Sequence, residues 1–340
     1  MKIKFFISDN ELAPTTISAK LIIACLLERG LDVEAINDTQ KKLALLKNPD
    51  YDMIIFQKKI GRGHTYPDIK HLKGIVKLVF IDDDFLGMDS AHHVQTLNHA
   101  DLILVGNKQH QGLMGDYVDV PVETFTSILD FHNYPYMGYA SKHNNPLIIS
   151  WQQSLADIYI EDLLSIKDVL IDLHHKYHIH LHLYGWHEGK HYHVPDKRSV
   201  IKKALPFATC VSFQPYEGYV KNIVPQIAAS DIAIVPYVNR SDRYGKSGFA
   251  LKRTMLLGVP LVVSNIGVHE ELIQDGLNGF IAENEEEWYQ KLEDLITHGE
   301  LRQQFSLQAR HVMESKFSYE QCTDIFIQAI HKHIPAFKPS

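Results

Sequence analysis

Cysteine is scarce in this 340-residue sequence: Cys25, Cys210 and Cys322 are far apart and form no CxxC pair. That excludes a disulfide framework and the common zinc and thiol-redox motifs, and it is what a reducing cytoplasm permits. Positive charge is not in excess either. The formal net charge is -7, which argues against nucleic acid as a partner. Nor does any apolar run approach the length needed to cross a bilayer. The opening MKIKFFISDN breaks its short apolar run at Ser8-Asp9-Asn10, so it fits a first buried strand better than a signal peptide. The expectation is a cytoplasmic protein, with peripheral membrane contact left open and the oligomeric state unspecified.

With 45% apolar and 22% charged residues, the composition is that of a soluble globular protein long enough for two domains. Short apolar runs alternate with helical patterns. IKFFIS (Ile3–Ser8), LDVEAI (Leu31–Ile36), DMIIFQ (Asp52–Gln57), VKLVFID (Val76–Asp82) and DLILVG (Asp101–Gly106) read as strands, with a helix expected over Ser18–Arg29. After DFHNYPYMGYASKHNNP (Asp130–Pro146), which lacks periodicity, the rhythm restarts with LIISW (Leu147–Trp151), IHLHLYG (Ile179–Gly185), CVSFQ (Cys210–Gln214), DIAIVPY (Asp231–Tyr237) and VPLVVS (Val259–Ser264). These patterns predict a first domain over 1–135, a linker at 136–146 and a second domain over 147–318. A final helix, Tyr319 to His331, lies within 319–340 and is expected to pack back on the first domain. Both domains should be doubly wound parallel α/β sheets, with a ligand at the carboxyl ends of the strands.

The stretch YGKSGFALKRTMLLGVPLVVS (Tyr244–Ser264) carries the site. Its helix is expected from Ser247, a good N-cap, to Leu257, with Gly258 and Pro260 as the stop. Free N–H groups and the positive end of the helix dipole suit an anion there. Gly245 and Gly248 allow close backbone approach, Ser247 offers a hydroxyl, Lys246 adds charge, and Lys252 should lean back towards the helix start. A capped surface helix with a solvated lysine would give the same short pattern.

The run DIAIVPY, then KSGFALKRTMLLGVPLVVSNIGVHEELIQDGLNGFI, then EEWYQKLEDLI and LRQQFSLQAR, resembles the retaining group 1 glycosyltransferases of GT-B fold, in the subgroup with a Lys-Ser loop. ISWQQS (Ile149–Ser154) is similar to that subgroup's Trp-x-Gly-Ser turn, and VFIDDDF (Val79–Phe85) to its Asp-rich turn. The resemblance implies two Rossmann-like domains facing across a cleft. The turn Gln152-Gln153-Ser154, with Lys246, Ser247 and Gly248, would then hold a donor diphosphate, Pro236 and Tyr237 would lie beside the base, and Asn265 and Gly267 would line a further loop. Asp82, Asp83 and Asp84 would face the acceptor, and Lys246, Lys252 and Asp83 would carry the catalytic work.

The sequence also departs from the family. Glutamates eight residues apart are replaced by Gly245 and Arg253, and Gln153 stands where the subgroup has glycine. Arginine cannot accept hydrogen bonds from ribose hydroxyls, although it can reach a phosphate or an acidic sugar.

Other signals in the sequence compete with this reading. His178, His180 and His182 could share one face of a strand and bind metal. In a chain with 21 histidines such clusters arise by chance, and no metal or other cofactor is expected. Tyr216-Glu217-Gly218-Tyr219 could contact the donor but reads better as the start of a helix over Tyr219–Ala229, and His92 and His93 could supply a base or an oxyanion-type donor near the acceptor but read better as ordinary helix residues. The implied function is transfer of a sugar from a UDP- or GDP-type donor to a hydroxyl of a glycan or lipid-linked acceptor, with retention, in bacterial-type surface polysaccharide or glycoconjugate synthesis. The alternative is a non-catalytic accessory protein that binds a sugar nucleotide or a partner glycosyltransferase.

Overall fold

The computed structural model describes residues 1–7, 13–57, 69–82, 91–125, 127–138, 144–187 and 195–338. Contacts divide the chain into two units, one of Met1–Asp130, Ser241–Ser247 and Phe317–Ser340, the other of Phe131–Arg240 and Gly248–Lys316.

In the first unit β1 (Lys2–Phe6), β2 (Asp32–Ile36), β3 (Met53–Gln57), β4 (Lys77–Asp82), β5 (Leu102–Val105) and β6 (Val122–Thr124) form one parallel sheet in the order β2-β1-β3-β4-β5-β6. Its central strands read as unbroken apolar runs because both faces are covered: Phe5, Phe6, Ile54, Ile55 and Phe56 are wholly buried. The helix Tyr319–His333 belongs to this unit and opens with a capping box in which Ser318 and Gln321 exchange hydrogen bonds. Phe326 packs edge-on against Phe125 at 5.9 Å, and Asp324 pairs with Arg29 at 2.7 Å.

In the second unit β7 (Ile148–Gln152), β8 (His180–Trp186), β9 (Ala208–Ser212), β10 (Ile232–Val235), β11 (Leu261–Ser264) and β12 (Phe280–Ala282) form a second parallel sheet, ordered β12-β11-β10-β7-β8-β9. Trp151, Trp186, Ile234, Val262, Trp288 and Phe305 anchor the core under the helices Lys167–Tyr177, Glu285–Thr297 and Gly299–Lys316.

Several local expectations are corrected. The helix after the Lys-Ser loop runs Phe249–Leu256, two residues later at its start than expected. Its N-cap is Gly248 at φ 72°, and no side chain caps it. His178 is not in β8. It caps the helix Lys167–Tyr177 in the left-handed conformation (φ 55°), so the three-histidine strand face does not form. The helix expected over Tyr219–Ala229 begins as a π-helical turn, Tyr219–Ile223, before Val224–Ala228, and Pro225 at its start removes one backbone donor. β6 and β12 are three-residue strands too short to show a period.

Gly185, at φ 104° inside β8, lies so close to the turn after β7 that a Cβ there would sit 1.7 Å from the Gln153 carbonyl oxygen. Gly185→Ala should therefore cost about 2–4 kcal/mol. Urea denaturation measures it, and a loss below about 0.5 kcal/mol, the range of an unconstrained surface substitution, would contradict the close approach.

Candidate functional site

Chain order in the second sheet runs outward from β7 to β8 and β9, then returns with β10 on the other side of β7. Crossovers leave in opposite directions on either side of this pair, which opens a crevice at the carboxyl ends of β7 and β10. Four segments end there: the turn Gln152–Ser154, the loop after Val235, the loop after Ser264, and the N-terminus of the helix Phe249–Leu256.

Each is pinned by a buried polar group. The Gln153 N–H donates to the Tyr184 carbonyl at 3.2 Å, and the Ser154 carbonyl lies 2.8 Å from His187 Nε2. His187 stacks on Phe213 at 4.0 Å, while the buried Asp157 accepts from the His187 and Lys197 backbones. After β10, with Pro236 buried, the Tyr237 N–H donates to Ser264 Oγ at 2.8 Å and the Val238 N–H to buried Asp162 at 2.9 Å. Gly267 takes φ 58°, ψ −131° to open the helix Val268–Leu272, and Gly248 sits so close that a Cβ would lie 2.5 Å from Val268 Cγ1. Asn265 is exposed and donates to Glu283 at 2.7 Å.

Gln152 ties β7 to the helix. Its amide donates to Thr254 Oγ1 at 2.7 Å and to the Ala250 carbonyl at 3.3 Å, and its oxygen accepts from Tyr219 Oη at 2.9 Å. Arg253 joins the same cluster. It is buried, donates through Nε to the Phe249 carbonyl at 3.2 Å, and places its guanidinium 5.1 Å from the Tyr219 ring centre. Among the described residues no carboxylate is paired with it. Lys252 is buried in the same helix.

Lys246 and Ser247 group with the first unit. There the side chain of Asn107 accepts from the His110 N–H at 2.7 Å and donates to the carbonyls of Tyr244 and Lys246 at 2.9 and 3.0 Å. Asp82 closes β4, whereas Asp83 and Asp84 lie outside the described residues.

A cavity of about 550 Å³ opens between the loops after β10, β11 and β12, lined by Tyr237, Ser264, Asn265, Glu283, Glu285 and Trp288 among others. Its Tyr237 ring stacks at 5.2 Å on His269, which is 1% exposed. The Nδ1 of His269 is 2.9 Å from the Ser264 carbonyl, so that nitrogen carries the proton. Burial pulls the imidazole down to about pKa 4, the carbonyl bond opposing it.

Sequence reading missed Asp157, Asp162, Gly185 and His269, and it named Gln152 and Tyr219 without the hydrogen bond that joins them. Most act on backbone groups far away in sequence, and only the D-I-Y-I-E-D spacing of Asp157 and Asp162 ahead of a helix offered a signal.

Two parallel-sheet α/β units of this topology are the GT-B fold. The structure aligns with a sucrose-phosphate synthase from Thermosynechococcus elongatus at TM-score 0.72 and 10% identity, covering 99% of this chain and 100% of that one. It aligns with Anabaena HepE in complex with UDP and glucose at TM-score 0.69 and 14% identity, covering 97% and 99%. Residues 160–298 match the family model for glycosyl transferases group 1. Spore coat protein SA of Bacillus subtilis (strain 168) is 28% identical over 82 residues, a match that spans 23% of this chain and 22% of that protein's length. Family match and fold together support a glycosyltransferase. No helix among the described residues is long and apolar enough to cross a membrane.

Two outcomes follow for this cluster. A buried neutral His269 binds no proton in the folded state until pH falls near 4, whereas the unfolded chain protonates it below about 6.5. Stability should thus be lost as pH falls from about 6.5 to 4, by up to about 3 kcal/mol, and His269→Gln should flatten that part of the profile in chemical denaturation. Arg253→Glu would bury a carboxylate without a cation and should destabilise by about 3 kcal/mol rather than improve donor binding. A thermal melt with and without nucleotide checks both halves of that statement.

Proposed function

We propose that the protein is a retaining glycosyltransferase that moves a sugar from a UDP- or GDP-type donor to a hydroxyl of a glycan or lipid-linked acceptor, as in bacterial-type surface polysaccharide synthesis. The observation that carries this reading is the helix Phe249–Leu256. It starts at a left-handed glycine with no capping side chain, at the reversal of strand order, and inside the segment that matches the family model. An uncapped helix start leaves its first N–H groups for a ligand, and a diphosphate is the group they suit.

In this reading Gln153, Ser154, Gly248 and the preceding Lys246 and Ser247 receive the diphosphate, with Lys252 adding charge. Negative charge grows on the diphosphate as the glycosidic bond breaks, and cations together with fixed N–H dipoles stabilise it without reorganising. The leaving diphosphate oxygen takes the proton of the acceptor hydroxyl on the same face, which retains the anomeric configuration. Asp82, Asp83 and Asp84 serve the acceptor. Asn265 and Gly267 shape the loop next to the donor, and Pro236 and Tyr237 lie by the base. Arg253 lies beneath this surface, so diphosphate binding does not need the glutamate it replaces.

A thermal-shift screen of UDP-, GDP-, CMP- and TDP-sugars at millimolar concentration should raise the melting temperature with at least one donor. With that donor, Lys246→Ala should lower turnover by about a hundredfold or more while the apo melting temperature stays put. Tight nucleotide binding with no hydrolysis or transfer on an acceptor panel would favour the accessory role. If no nucleotide sugar stabilises the protein, the donor-site reading fails.

A further inference from the structure

Gly106 and Asn107 carry the chain from the end of β5 into the helix Lys108–Gly115. Asn107 is 1% exposed, so its amide must find its partners inside the protein. Its oxygen caps the helix by accepting from the His110 N–H, while its nitrogen donates to the carbonyls of Tyr244 and Lys246 at 2.9 and 3.0 Å. Gly106 touches the same loop: a Cβ there would sit 2.9 Å from Ser247 Cβ and 3.0 Å from its Cα. The Lys246 N–H closes a turn on the Arg243 carbonyl at 3.2 Å. Lifting this loop off the end of β5 would strand a buried amide and two carbonyls, so the Lys-Ser segment is held by the strand end. The clamp also aims a donor. In a planar trans peptide the C=O and the following N–H point in opposite directions, so fixing the Lys246 carbonyl on Asn107 turns the Ser247 N–H away from it.

We propose that Asn107, with Gly106 against Ser247, is a positioning residue for the transfer reaction: it sets Lys246 and the Ser247 N–H where charge grows on the leaving diphosphate. The proposal rests on the donor reading above, in which Lys246 and Ser247 receive that group. An ammonium on a mobile loop must be ordered before it can stabilise a charge, whereas one whose backbone is fixed on folding is ordered already. Three hydrogen bonds occupy the Asn107 amide, so it acts through the loop rather than on the donor. The residue type is what the two tasks require. Serine would keep the helix cap but is too short to reach the carbonyls, and ionised aspartate would reach them with no proton to donate. Asparagine carries the cap acceptor and a two-proton donor on one short side chain.

Asn107→Ser and Gly106→Ala disturb the loop from two sides while keeping the helix cap, and each is compared in the full chain with wild type and with Lys246→Ala. Titration calorimetry with UDP and GDP gives binding, and release of UDP or GDP from the nucleotide sugar that stabilises the protein gives turnover. Each variant is expected to lower kcat about tenfold or more with a smaller change in KM, because the arrangement matters most as charge develops. A nucleotide-free melt verifies that the variants are folded at the assay temperature, and either one that is folded suffices. In the Lys246→Ala background Asn107→Ser is expected to lower kcat much less than it does alone, since both changes remove one arrangement. A general loss of structure would instead multiply with the Lys246→Ala defect, and that outcome overturns the proposal. So does wild-type turnover in the folded variants. Nucleotide binding without turnover on any donor would also overturn it, in favour of the accessory role. Unchanged turnover in Lys246→Ala, or no binding of UDP or GDP, would overturn the donor reading itself and the role of Asn107 with it.

Discussion

The side-chain amide of Gln152 is the contact on which the second unit's crevice depends. It ends β7 and is 6% exposed, so each of its polar atoms must find a partner inside the protein. It does so by donating to Thr254 and Ala250 on one helix and accepting from Tyr219 on another segment. Two helices from opposite directions of crossover are thereby registered against one strand end. The residues that follow, Gln153 and Ser154, inherit that position and are trimmed further by Gly185 and His187. Hydrogen bonds of this kind add modestly to stability, but an amide left unmatched would cost more than the bonds gain, so the arrangement is specified as well as held.

Charge is sorted across the same surface. Backbone donors and a lysine-bearing helix gather at Gly248, while carboxylates gather around the cavity at β10, β11 and β12. The loops between the two regions are held in place through Ser264, Asp162 and His269.

How much of this the sequence disclosed follows from where the information lies. Strand rhythm was legible in both halves because strands buried on both faces leave near-continuous apolar runs, as in Met53–Gln57. The helix after the Lys-Ser loop was legible because Gly258 and Pro260 mark its end. Its start was misplaced by two residues because Ser247 is a good cap by type, yet the chain enters the helix through a left-handed Gly248 instead. The π-helical turn at Tyr219 has no sequence period to announce it. Asn107 is the clearest case of hidden information: one asparagine caps its own helix with its oxygen and holds two carbonyls near position 245 with its nitrogen. Pairings separated by more than a hundred residues leave no local pattern.

Arg253 shows the same limit from the other side. Read by type and position it is a charge placed where a ribose carboxylate belongs, and so an anomaly of binding. Its surroundings make it an anomaly of burial instead, since a guanidinium with no carboxylate partner lies against the ring of Tyr219. Removing a charge from water without a counter-ion is costly, and the cation–π contact with Tyr219, plus the bond to the Phe249 carbonyl, returns only part of that cost. Such a residue persists where it does something an apolar side chain of similar length would not. The ring it faces carries the hydroxyl that donates to Gln152, and a cation over the ring makes that phenol a stronger donor. Arg253 thus reaches the turn at Gln153 through Tyr219 and Gln152 rather than by touching a ligand.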